Sequence, residues 1–133
     1  MLKKNVGYFL YPYLIRSDVV GLIKKFELGS YEKRLKVGAV ERPHYGYCVY
    51  QAAALAKNLG YERISVLEFG VAGGNGLINL EYHASEVSKI FSIDIEIYGF
   101  DTGEGLPEPL DYRDLPYHWK AGFFKMDIPK LQT

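Results

Sequence analysis

Apolar residues in this chain recur with two different periods, and the switches between them mark out the elements. Val19, Val20, Leu22, Ile23 and Phe26 fall at helical spacing behind Ser17-Asp18, a polar pair suited to capping a helix start. Gly29 is a natural stop. Residues 1–40 read as a helical preamble, with Lys33, Arg34 and Lys36 as a solvated basic face. Pro43 is well placed to open the next helix, because the first helical position needs no backbone N–H. Tyr47, Tyr50, Ala54 and Leu55 would share one stripe of it, with Ala52, Ala53 and Ala56 allowing close packing. Asn58-Leu59-Gly60 closes that helix. A third helical pattern runs from Leu77 to Ile90 through Ile78, Leu80 and Val87, and it places His83 exposed or half packed.

Between these helices the period changes. Ile64 to Phe69 is a near-continuous apolar run, the pattern of a parallel strand covered on both faces. Ile95 to Phe100 is a second strand. Strand, helix and strand of these lengths imply a right-handed crossover and adjacent parallel strands. After Asp101 the texture changes again. Thr102 to Pro109 is too dense in Gly and Pro for a regular element, and Asp111 to Trp119 continues the loop, with one short helical turn near Trp119. A loop of that length in a compact domain is usually functional. Asp127-Ile128-Pro129-Lys130-Leu131 reads as a cap and the first turn of a helix. The expected fold is α/β and Rossmann-like but incomplete. Residues 1–42 form a helical N-terminal segment, and residues 43–133 the front part of a cofactor-binding domain. Two strands alone make a poor sheet. The chain is therefore expected to be the front of a larger domain, or to complete itself by association.

Composition narrows the class. Hydrophobic residues make up 48% and charged residues 24%, values of a globular chain rather than a disordered one. Lys plus Arg and Asp plus Glu number 16 each, and a net charge of +0 argues against a nucleic-acid partner, which selects a basic face. The longest apolar stretch, Val6 to Ile15, is short for a membrane span and broken by Pro12, and no signal-peptide cleavage site follows it. No membrane partner is expected, and a cytoplasmic location follows by default. The one cysteine, Cys48, sits in an apolar helical pattern and reads as buried and inert. Tyrosines cluster at Tyr8, Tyr11 and Tyr13 and at Tyr45, Tyr47 and Tyr50. They read first as packing with hydroxyls reaching water, and second as a self-association surface, which makes a homo-oligomer the expected assembly.

The chemistry concentrates at the ends of the two strands. The first strand delivers Glu68 into a glycine-rich turn, where Gly70 permits a tight bend and Gly74 offers backbone without a Cβ. The dinucleotide pattern G-x-G-x-x-G fits neither register: counting from Gly70 puts Ala72 at its second glycine, and counting from Gly74 puts Asn79 at its last. No G-K-[ST] follows, which excludes a P-loop. The spacing that does fit is acidic-x-G-x-x-x-G, through Glu68, Gly70 and Gly74.

Glu68-Phe69-Gly70-Val71-Ala72-Gly73-Gly74-Asn75 resembles motif I of class I S-adenosylmethionine-dependent methyltransferases, with Ala72 in place of the usual middle glycine. Tyr98-Gly99-Phe100-Asp101-Thr102-Gly103-Glu104-Gly105-Leu106-Pro107 is similar to the strand-end segment of the macrocin O-methyltransferase (TylF-like) group. The resemblance covers Ile64 to Pro107 and, more loosely, the helix before it. It implies S-adenosyl-L-methionine as cofactor. Asp101 would then hold the ribose hydroxyls, Glu68 would organise the loop or meet a cationic ligand group, and Gly70, Val71, Ala72, Gly74 and Thr102 would line the site. It also implies a small-molecule methyl acceptor. The segments that complete the adenine pocket, the substrate site and any metal site in such enzymes lie beyond the motifs found here. No catalytic base and no metal ligand is therefore assigned, and the chain alone is expected to be inactive. His44 lies near a helix start that could flank the pocket, and His118 reads as a satisfied loop histidine. Asp111, Arg113 and Asp114 read as a loop-stabilising ion-pair set rather than a substrate clamp. Two other readings compete. A non-catalytic, self-associating binding module would keep the same truncated scaffold, and an NAD-binding domain is disfavoured by the failed glycine register.

Overall fold

In a computed structural model, residues 17–132 are described, and they form five helices and a two-stranded parallel sheet. The order is α1 (Ser17–Lys25), α2 (Tyr31–Lys36), α3 (Pro43–Asn58), β1 (Arg63–Phe69), α4 (Asn75–Phe91), β2 (Asp94–Phe100) and α5 (Ile128–Leu131). A 3-10 turn at Tyr112–Asp114 lies in the long loop before α5. Met1 to Arg16, with the tyrosines at 8, 11 and 13, lie outside the described residues. No helix among the described residues is long and apolar enough to cross a membrane.

The mixed α/β class, the parallel strand pair and the element order match the expectation. β1 and β2 pair in direct register from Arg63 with Asp94 to Phe69 with Phe100. The pairing runs one step further, where the Gly70 amide donates to the Phe100 carbonyl at 2.8 Å. Ile64, Val66, Ile95 and Ile97 face α3 and α4 and pack on a core of Tyr31, Val40, Val49, Ala53, Ala56, Leu80, Val87 and Ile93. Burying a side chain such as Val87, fully enclosed here, is worth about 1.5–3 kcal/mol.

Five expectations need correction. β1 is not covered on both faces. Its exposure alternates along the strand, because the helices α3 and α4 lie on one side only. Leu67, Phe69, Tyr98 and Phe100 are left exposed on the other side. The buried stripe of α3 is Gly46, Val49, Ala53 and Ala56, whereas Tyr47 and Leu55 point outward. The reason is contact distance: a Cβ at Gly46 would collide with the His83 ring and Leu35, so the small residues take the side where α3 meets α4. Cys48, beside that stripe rather than on it, is exposed. In the basic run, Arg34 is not solvated. It is 7% exposed, and its Nη1 donates to Glu27 Oε1 at 3.0 Å and to the Tyr82 hydroxyl at 3.1 Å.

His83 is likewise fully buried rather than half packed. Its Nε2 lies 2.9 Å from the Glu41 carbonyl, which can only accept, so Nε2 carries the proton. Nδ1 then accepts from the Tyr31 hydroxyl at 2.9 Å. Burial first, then Tyr82 and Glu86, push that hydroxyl well above its usual range, so it remains a donor.

Candidate functional site

The turn after β1 is built around a carboxylate from β2. Gly70 has φ +87° and Ala72 φ +49°, so the chain folds back on itself and aims successive amides inward. Asp101, at the end of β2, receives them. Its Oδ2 accepts from the Val71 amide at 2.7 Å and the Ala72 amide at 3.0 Å. Its Oδ1 accepts from the Gly103 amide at 2.7 Å. These amides, Ala72 and Gly103 foremost, hold the Asp101 carboxyl below the usual carboxylate range. Ala72 occupies the left-handed region, which costs a residue with a Cβ roughly 1–2 kcal/mol, so the middle position of the motif is conformationally a glycine position.

Glu68 lies behind this turn, on the helix side of the sheet. Its Oε1 accepts from the Tyr45 hydroxyl at 3.1 Å, and its Oε2 is buried without a partner. The carboxylate fills the space beside Gly76 at the start of α4, where the helix dipole favours negative charge. Gly74, at φ +80°, caps α4, and its bare Cα faces Leu131 rather than open space. The segment around α5 folds over the turn: the Met126 amide donates to Gly103, the Asp127 amide to Ala72, and Lys130 Nζ to Asn75 Oδ1. Val71 is 4% exposed, and it packs where a Cβ at Gly99 would otherwise stand.

In front of the turn a cleft of about 440 Å³ opens at the carboxyl ends of both strands. Gly70, Ala72, Phe100, Asp101 and Thr102 form one side, and Gly105, Leu106 and Phe124 the other. The second wall is fixed by a short backbone ladder. Leu106 donates to the Phe123 carbonyl at 2.8 Å, and Gly122 donates to the Leu106 carbonyl at 2.9 Å. A Cβ at Gly105 would strike the Gly122–Phe123 backbone, so this glycine permits the close approach. The size falls within the 300–1,000 Å³ of small-molecule sites. The lining holds one carboxylate and no basic side chain.

Of the seven residues singled out from the sequence, Gly70, Ala72, Asp101 and Thr102 meet on this cleft. Glu68, Val71 and Gly74 stand behind it as the packing that shapes the turn. Phe100, Leu106 and Phe124 belong to the wall and were not anticipated. Gly105 and Gly122, both at positive φ, were the available signal for a paired return of the loop. His44 and His118 are exposed and stand off the cleft. Asp111 and Arg113 pair at 2.6 Å, and Asp114 accepts from the Leu110 amide at 2.8 Å, so these charges bind the loop to itself. Among the described residues no group of three His, Cys, Asp or Glu side chains could hold a metal.

No family model, curated protein or solved structure matches this chain.

Proposed function

We propose that the chain is the cofactor-binding part of a Rossmann-like, S-adenosyl-L-methionine-dependent methyltransferase acting on a small molecule. The observation that supports this most is the charge of the cleft. A site for NAD or a nucleoside triphosphate offers free amides and basic groups to phosphate oxygens. Here the amides of Val71 and Ala72 are already given to Asp101, and no Lys or Arg lines the cleft. A phosphate would meet a carboxylate. A sulfonium nucleoside carries no phosphate and a positive charge, and it suits a glycine-floored, aromatic-walled cleft with one anion. The motif at Glu68, Gly70 and Gly74 and the strand-end Asp101 agree with this choice.

In such a reaction the methyl group passes from sulfonium to acceptor by in-line displacement, and positioning supplies most of the acceleration. The residues of this chain would do the positioning. Asp101 keeps the turn in shape through three amide bonds, and its remaining lone pair can accept from a ligand hydroxyl. Thr102 offers a hydroxyl beside it, and Phe100 and Phe124 offer flat apolar surface.

Calorimetric titration with S-adenosylhomocysteine and with NAD tests the proposal. The sulfur nucleoside should bind at least about tenfold more tightly, a difference of about 1.4 kcal/mol. NAD binding the tighter of the two would overturn it. A second reading, a self-associating binding module, is favoured by the exposed apolar face of the sheet at Leu67, Phe69, Tyr98 and Phe100. It predicts association without methyl transfer.

A further inference from the structure

A second concavity, of about 530 Å³, lies away from the glycine turn, between α1, α4 and the segment joining α2 to α3. Ala39, Val40 and Ile78 give it apolar walls, and Arg34, Tyr82 and Lys25 give it polar ones. Its charges do not balance. Lys24 is paired with Glu41, and Arg34 with Glu27 at 3.0 Å and, more loosely, with Glu86 at 3.9 Å. Among the described residues no carboxylate pairs with Lys25.

The donors do not balance either. Arg34 is 7% exposed, yet its Nε has no acceptor, and its Nη2 is 3.9 Å from the nearest Glu86 oxygen, too far for a hydrogen bond. A buried guanidinium is costly unless its fork of N–H groups is satisfied. Tyr82 accepts from Arg34, which leaves its own hydroxyl hydrogen free to donate. Arg34 Nε is enclosed, so the donors that can reach the cavity are Lys25 Nζ, the Tyr82 hydroxyl and Arg34 Nη2, and the residues lining it carry a surplus of one positive charge.

We propose that this cavity is a binding site for a small amphipathic monoanion. Its carboxylate would sit among Lys25, Tyr82 and Arg34 Nη2, and its apolar body against Val40 and Ile78. A single surplus charge favours a carboxylate over a phosphate dianion. The apolar lining favours a carboxylate with a hydrocarbon or aromatic body over acetate.

The test is titration of the full chain with phenylacetate, phenylacetamide, acetate and inorganic phosphate, read by calorimetry. Phenylacetate should bind best. The neutral amide and acetate should each be weaker by roughly tenfold, because the first lacks the charge-assisted bonds and the second the apolar body. Lys25→Gln should weaken phenylacetate binding about fivefold or more while leaving the melting temperature near the parent value. Ile78→Trp should block binding by filling the cavity. Arg34→Met should also weaken binding, and if that variant fails to fold, the Lys25 and Ile78 variants decide alone. Phosphate binding more tightly than phenylacetate, no binding of phenylacetate, or binding indifferent to both Lys25→Gln and Ile78→Trp would each overturn the proposal.

Discussion

The Glu68 carboxylate occupies the volume that a side chain at position 76 would need. Gly76 is therefore a glycine for packing reasons: a Cβ there would run into Glu68 Oε1. The strand-end acid and the start of α4 are made for each other, and the Tyr45 hydroxyl holds the acid in that place at 3.1 Å. Gly76→Ala should drive the carboxylate out, break its bond to Tyr45, and cost about 1–3 kcal/mol as an overpacking change. Combining it with Glu68→Ala, which vacates the space, should recover part of that loss. Denaturant unfolding of the two single variants and the double variant measures the coupling. Additive effects would show that the two positions do not compete.

The Tyr31–His83 pair gives a pH dependence with a definite sign. Burial, with a smaller push from His44, holds the His83 imidazole below its usual range, against the opposing pull of the Glu41 and Arg42 backbone. An unfolded histidine takes up its proton near pH 6.5, whereas the folded one waits for a lower pH. Across that window the unfolded chain binds more protons, so stability rises with pH. This contribution should be complete above about pH 6.5 and should fall away as pH drops toward the folded value. Thermal melts between pH 8 and pH 5 should show the decline, and His83→Gln, neutral throughout, should flatten it. An unchanged slope in that variant would assign the decline to other groups.

Asp101 should behave as the keystone of the turn. The amides of Ala72, Gly103 and Val71 lower its affinity for a proton, so the turn should keep its shape until the pH falls below the ordinary carboxylate range. Amide resonances of Val71, Ala72 and Gly103 should then shift together. The stabilisation is present above the unfolded value and lost as pH falls through the depressed one. Asp101→Asn replaces one acceptor by an NH₂ group that cannot serve Gly103 and the turn at once. It should disturb the same three amides and weaken S-adenosylhomocysteine binding by about tenfold. Unperturbed amides in Asp101→Asn would show that the turn stands without this carboxylate.

These positions also show what the chain discloses as text and what it conceals. The strands, α3, α4 and the cap at Asp127 were legible because periodicity and capping act locally; the Asp127 side chain accepts from the Lys130 amide as a cap should. Asp101 and Gly70 could be placed at the cleft because strand ends are local features too. Arg34, His83 and Gly76 were misread or passed over for one shared reason. Their roles depend on partners 7 to 52 positions away, such as Glu27 for Arg34 and Tyr31 for His83, and no local pattern carries that information. The far wall of the cleft depends on Leu106 pairing with Phe123 across an irregular loop, which has no period at all.

Phe69 and Phe100 lead to the last prediction. They are register partners, and their rings stack at 5.2 Å with planes 18° apart, on the side of the sheet that α3 and α4 leave open. Phe69 is 77% exposed, and Leu67 and Tyr98 continue the patch. Parallel sheets ordinarily bury both faces, because apolar strand residues in water are costly and the pleat gives every second side chain to each face. A surface of this kind should find a cover, and in a pure sample the available cover is another copy. The chain should therefore associate as its concentration rises. Light scattering should report a mass above 15.1 kDa that grows with concentration. Phe69→Lys puts a charge where a neighbour would pack, at a site so exposed that the fold itself loses little, and should return the mass to that of the monomer. A parent chain that stays at 15.1 kDa across the range would show that the patch does not drive association. A Phe69→Lys variant that associates as the parent does would move the contact elsewhere on the surface.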